Sequence, residues 1–332
     1  MSIASKNGDV FTQISINQKL SCMSIAHDCS YFIVSLKDLR VLSQYKFSSK
    51  VLFCEMYENT NLILIVLESE ASRLRVWDDA RKMEVENLEF SSDIAKVLVR
   101  SGHLTVWIMA GELIVTEVQT FQKKARLPLA FAPDIMLNSP LQADNLVAWN
   151  ESGKGMISVW DFAKSRKEEL DLHSRPVRFW TFDPSGRFIA SSGKGTVVKI
   201  RDLQREVTHE FWLNYNDIEF SGLGFSPSGD LLAISEKSGD LKVLSVDPNR
   251  PEKSGGLFSL IPEKPLVVVK GLLEAARCFW IASGDLLLIS GDNKVRRVQV
   301  NAQQRKIHAD TPIEPLLDPS HFELSQEEHH ST

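Results

Sequence analysis

A strand-end aspartate, twice preceded by tryptophan, that returns at a nearly constant interval limits this chain more than any other feature. Four segments share one frame: RLRVWDDARK (73–82), MISVWDFAKS (156–165), VVKIRDLQRE (197–206) and LKVLSVDPNR (241–250). Their aspartates, Asp78, Asp161, Asp202 and Asp247, are 83, 41 and 45 residues apart, and the interval of 83 is two units. ELIVTEVQTF (112–121) supplies the member between. A second frame agrees, since FDPSGRFIASSGKG and FSPSGDLLAISEKSG lie 43 residues apart. A period of about 40–45 residues with Trp-Asp at a strand end marks propeller blades. Each unit reads as four short alternating strands broken by Gly, Pro, Ser and Asp.

Counting outward from this frame, 31–47 supplies an earlier blade and 285–300 a last one, about seven in all. The expected fold is all-β: a seven-bladed WD-repeat β-propeller, one domain over 1–302. The early strand VFTQISI (10–16) is expected to join the last blade and close the ring, because a closed ring leaves no unpaired sheet edge. Beyond Ala302 the chain is polar and aperiodic, so 303–332 is expected to be a disordered tail.

Composition narrows the function. The net charge of −5 lacks the basic footprint that nucleic-acid binding requires. The first eight residues form no signal peptide, and no apolar run reaches the ~20 residues of a membrane span. The expected molecule is therefore a cytoplasmic monomeric ring. Cys22, Cys29, Cys54 and Cys278 form no CxxC pair, which points to reduced thiols and no thiolate metal site. Gly193-Lys194-Gly195-Thr196 lacks phosphate-loop spacing and repeats Ser152-Gly153-Lys154-Gly155 one blade earlier, so both read as hairpins. Glu327-Glu328-His329-His330 lies in the polar end and reads as a solvated run rather than a metal site. Trp77, Trp107, Trp160 and Trp180 fall in strands and read as core. The Arg296-Arg297 pair reads as ordinary surface. No nucleophile, acid–base pair or cofactor motif stands in a suitable context, so no catalytic residue, cofactor or metal is expected.

The order of segments, above all NLILIVL with LRVW in the second blade and residues 172–211 in the fifth, resembles the PROPPIN family of autophagy propellers, which includes the WIPI proteins. The resemblance covers roughly residues 20–300. It implies two phosphoinositide pockets flanking a Phe/Leu-Arg-Arg-Gly motif between blades five and six, each arginine serving one pocket. Here Glu210-Phe211 is followed by Trp212, Leu213 and Asn214, so both arginines and the glycine are replaced. In the first pocket His173, Ser191 or Ser192, and Thr196 match the family. In the second, Ser235 remains, but Asp240 and Lys242 stand in a stretch where the family has Gly-Thr-x-His. Each lost charge-assisted contact is worth roughly 1.5–3 kcal/mol, which implies weak or absent phosphoinositide binding. A positive charge on His173 is expected to help only in mild acid.

The sixth-blade loop places Leu257, Phe258, Leu260 and Ile261 at an apolar tip beside Lys253 and Lys264. It either inserts into a bilayer or folds back on a neighbouring blade. The resemblance implies a scaffold bridging protein partners in autophagy or membrane traffic, peripheral on preautophagosomal or endosomal membranes. The alternative is a general WD adaptor of a ubiquitin-ligase or chromatin complex with no lipid role.

Overall fold

Seven antiparallel sheets succeed one another along the chain, each built from consecutive strands. The computed structural model describes residues 2–4, 11–100, 102–129, 137–138, 140, 142–143, 145–150, 153–193, 197–213, 219–247, 265–301, 306–309 and 311–317, with 2–4 and 137–138 as backbone only. The inner strands of blades one to seven are Gln13–Ile16, Val51–Met56, Ile94–Arg100, Leu137–Asn138, Phe179–Phe182, Phe220–Phe225 and Arg277–Trp280. The only helical turn among the described residues is the short Glu68–Glu70. The all-β seven-bladed propeller expected from the repeat is the fold observed.

Alternation explains the packing. In blade five, Ala190, Val198 and Ile200 face blade six in one cluster with Leu223 and Leu232. Trp180 and Ile189 belong to the cluster shared with Ala148 and Val159 of blade four. Trp77, Trp107, Trp160 and Trp180 are all buried in such interblade layers, as their strand positions predict.

The repeated aspartate has a local task at the end of each third strand. Asp78 Oδ1 accepts the amides of Ala80 and Arg81, and Asp202 Oδ1 those of Gln204 and Arg205. Asp161 Oδ1 accepts that of Lys164. Such side-chain caps stabilise a tight turn. Four residues on, Lys82, Ser165 and Glu206 all take positive φ near 50–60°. Leu39 and Phe121 do the same, so Ser35 and Glu117 occupy the equivalent place in blades one and three. In blade six the equivalent is Ser245, which pairs with Leu231 as Asp202 pairs with Phe188. Asp247 lies two residues further on, so the interval of 45 is corrected to 43, the spacing of the second frame.

Two further expectations are corrected. Gln13–Ile16 pairs with Cys22–His27 as the inner strand of blade one and does not join the last blade. Closure comes from side chains instead: Phe11, Ile14 and Ile16 pack with Phe279, Ile281, Leu287 and Ile289 of blade seven. The ring also does not end at Ala302. Lys306–His308 and Glu314–Pro315 pair with Lys294–Asn301, and Leu316 and Leu317, 3% and 1% exposed, enter the same closing cluster. Asn293 clamps Leu317 through both its backbone N–H and its C=O. Two leucines after a proline were enough to anchor a segment that composition read as polar. Residues 318–332, with the Glu-Glu-His-His run, lie outside the described residues.

The Arg296-Arg297 pair is likewise structural. Arg297 donates to the carbonyls of Leu36 and Lys37 in blade one at 3.0 and 2.7 Å, so it latches the last blade to the first. Arg296 donates to Leu272 O at 3.0 Å and to Ala309 O at 2.5 Å.

Candidate functional site

The first-pocket residues assemble where blade five meets the connection from blade four. His173 follows strand Arg166–Asp171, and its backbone N–H donates to Gly155 O at 2.9 Å. A Cβ on Gly155 would lie 1.5 Å from His173 O, so only glycine permits this approach. The imidazole then lies with Nε2 3.0 Å from Ser191 Oγ. Ser191 and Ser192 end strand Phe188–Ser192 and are fully buried. Of the expected set, His173 and Ser191 are brought together and Ser192 turns to Phe179 O at 3.5 Å. Thr196 and Asn214 lie outside the described residues.

One cation in this region escaped the sequence reading. Lys199 is the cross-strand partner of both Ser191 and Glu210, and its Nζ sits 2.6 Å from Glu210 Oε1. The alternation of Val197–Asp202 was a signal that placed Lys199 on the Ser191 face. Burial, with the Lys199 charge beside it, holds the His173 pKa down at about 4. This corrects the expectation that mild acid would charge His173, because a group with that pKa stays neutral at pH 6.

Where the arginines would stand, the chain runs inward. Trp212 ends strand Val207–Trp212 opposite Val197 and is half-buried. Leu213 is 7% exposed and packs with Phe211, Phe220 and Leu223 between blades five and six. Leu213, which the resemblance aligned with the second arginine, is thus a core side chain.

The second-pocket residues are engaged by neighbouring groups of blade six and the connection that follows it. Ser235 is buried with its Oγ 3.0 Å from Ser221 Oγ, and Ser221 donates its hydroxyl proton to Ala276 O at 2.6 Å. Lys242, 7% exposed, forms an ion pair with the equally buried Glu236, a partner the sequence reading missed. Asp240 Oδ1 accepts the amide of Gly271 at 3.0 Å, so it fastens the next turn. Leu257, Phe258, Leu260 and Ile261 of the sixth-blade loop lie outside the described residues.

No protein-family model matches the chain. The SVP1-like protein 2 of Candida glabrata is 22% identical over 281 residues, 72% of this chain and 63% of that protein. The chain therefore spans somewhat less than two thirds of that relative's length. Among solved structures, Hsv2 of Kluyveromyces marxianus superposes with a TM-score of 0.73 at 15% identity, covering 94% of this chain and all of that one. KlAtg21, solved in complex with the coiled coil of AgAtg16, gives 0.70 at 15% identity over 87% of this chain and 94% of its own. In fold the chain is similar to the PROPPIN propellers. Its likeness to Hsv2 and Atg21 lies in the fold of the whole ring. Among the described residues, no helix of this PROPPIN-like chain is long and apolar enough to cross a membrane, and no cluster of His, Cys, Asp and Glu is arranged to hold a metal.

Proposed function

We propose that the chain is a non-enzymatic scaffold that bridges protein partners in autophagosome formation or membrane traffic, with a degenerate site for phosphatidylinositol 3-phosphate. The observation that carries this reading is Leu213, buried in the interblade core where an arginine would have to meet a phosphate. His173 is neutral, Lys199 is paired with Glu210 and Lys242 with Glu236. A phosphomonoester carrying one to two charges would find no free guanidinium among these described residues to offset its desolvation. The coiled-coil complex of KlAtg21 supports a protein-bridging role for a ring of this shape. The scaffold works at the membrane periphery through its partners.

Flotation with phosphatidylinositol 3-phosphate vesicles tests the lipid half of this reading. The unmodified chain should remain with the soluble fraction at ordinary salt. Trp212→Arg with Asn214→Gly should raise binding, since Trp212 is only half-buried. Leu213→Arg should instead destabilise the ring, because it drives a charge into the core. Selective flotation of the unmodified chain at physiological salt would overturn the degenerate-site reading. Binding of a purified Atg16-type coiled coil tests the protein half.

A further inference from the structure

A pocket opens at one mouth of the central channel, away from His173 and Ser191. It is lined by Phe11 of blade one, Phe179 of blade five, Phe220 and Lys237 of blade six, and Arg277 and Ser290 of blade seven. Phe179, Phe220 and Arg277 lie at or beside the start of their inner strands, and Lys237 follows strand Leu231–Glu236. The mouth therefore belongs to the same end of the ring as His173 and Ser235.

Both charged side chains among the described lining residues are basic, in a chain whose net charge is −5. Among the described residues Lys237 pairs with Glu219 at 2.9 Å, and both side chains are more than half exposed. Such a surface pair contributes about 0–1 kcal/mol and exchanges readily for a better anion. The positive potential also reaches inside. Lys96, on the inner strand of blade three, is held below the usual lysine range by burial and then by Arg277, against a smaller opposing effect of Glu55. Three phenylalanines wall the site, and an anion gains more from a cation beside apolar walls than in open water. The cavity measures about 180 Å³, below the ~300 Å³ at which drug-sized ligands are accommodated. It suits one phosphate-sized group.

We propose that this channel mouth binds a phosphate group, with Lys237 and Arg277 as its cationic contacts. The arginine supplies a planar fork that matches two phosphate oxygens, and the lysine a mobile point charge. The group belongs either to a soluble phosphate ester or to a lipid headgroup. Phe220 also packs with Leu213, so the mouth adjoins the site between blades five and six, and Lys237→Gln and Glu219→Gln, which lie outside that site, read the mouth alone.

The test is calorimetric titration of the full chain with inorganic phosphate against chloride at matched ionic strength, alongside thermal melts. Saturable binding is expected, with a melting temperature raised by about 2 °C at ten times the dissociation constant. Lys237→Gln and Arg277→Gln should each weaken binding about tenfold, the loss of one charge-assisted contact. Glu219→Gln should tighten it severalfold by releasing Lys237, and Lys164→Gln, on the outer turn of blade four, should change nothing. If Arg277→Gln fails to fold, the opposed shifts of Lys237→Gln and Glu219→Gln still decide the matter. Phosphate binding without recruitment to vesicles containing phosphatidylinositol 3-phosphate assigns a soluble ester, and vesicle recruitment lost in Lys237→Gln assigns a lipid headgroup. No saturable binding at 50 mM phosphate (about the weakest affinity of interest), or binding indifferent to both Lys237 and Glu219, overturns the proposal.

Discussion

His103 shows what burial does to a single side chain in this ring. It is 1% exposed, neither ring nitrogen has a hydrogen-bond partner among the described residues, and it meets Phe162 edge-on at 5.0 Å. Desolvation, aided by the nearby Arg100 and Lys124 charges, brings its pKa to about 4. A histidine whose folded pKa lies below its unfolded value near 6.5 stabilises the fold fully above pH 6.5. That stability is lost as pH falls from 6.5 toward 4, because the unfolded chain takes up the proton first. At 1.36 kcal/mol per unit, His103 alone should remove roughly 2–4 kcal/mol across that window. Denaturant midpoints measured from pH 7 to pH 4 should fall steeply, and His103→Leu should flatten the profile. An unchanged slope in that variant would show that other groups govern acid stability. The structure places His173 3.0 Å from Ser191, two residues that the resemblance had grouped, whereas the Glu236 partner of Lys242 was not legible, because the pairing depends on a strand register that no local motif announces.

Strands and turns were the most legible part of the chain. An apolar run of strand length marked Leu62–Leu67, the repeated frame marked Leu231–Glu236, and the strand-end aspartate marked the turns after Asp78, Asp161 and Asp202. Blade three was recoverable only by spacing, since Glu117 stands where its neighbours have aspartate. The segment after Ala302 was misread for a physical reason: its order is conferred by what it touches. Lys306–His308 gains its ladder from blade seven, and Leu316 and Leu317 gain their burial from the closing cluster. Truncation after Asp310 should therefore lower the melting temperature substantially. Leu316→Ala and Leu317→Ala should each cost about 2–4 kcal/mol in chemical denaturation, as buried leucines generally do. A truncated chain melting within a degree or two of the full one would contradict this placement.

At the scale of the whole ring, the seam between blades seven and one differs in kind from a strand exchange. Among the described residues no strand is shared across it, and it is held by the closing cluster, the Arg297 latch and a backbone bond from Ala282 N–H to Leu20 O at 3.2 Å. Native-state hydrogen exchange should show lower protection in Gln13–Ile16 and Arg277–Trp280 than in Phe179–Phe182, the inner strand of blade five, which is remote from the seam. Arg297→Gln should widen that difference while leaving the inner blades unchanged.

A seam of this kind also governs how copies of the chain meet when the ring opens. The two faces it exposes are complementary by construction, but they belong to opposite ends of the molecule. A face freed on one copy can accept the matching face of a second, and such head-to-tail joining propagates without closing. Heat-induced self-association of this protein is therefore expected to begin at the seam and to grow by end-to-end addition. Arg297→Gln should shorten its lag time in light-scattering measurements well below the temperature at which the interior blades lose their strands.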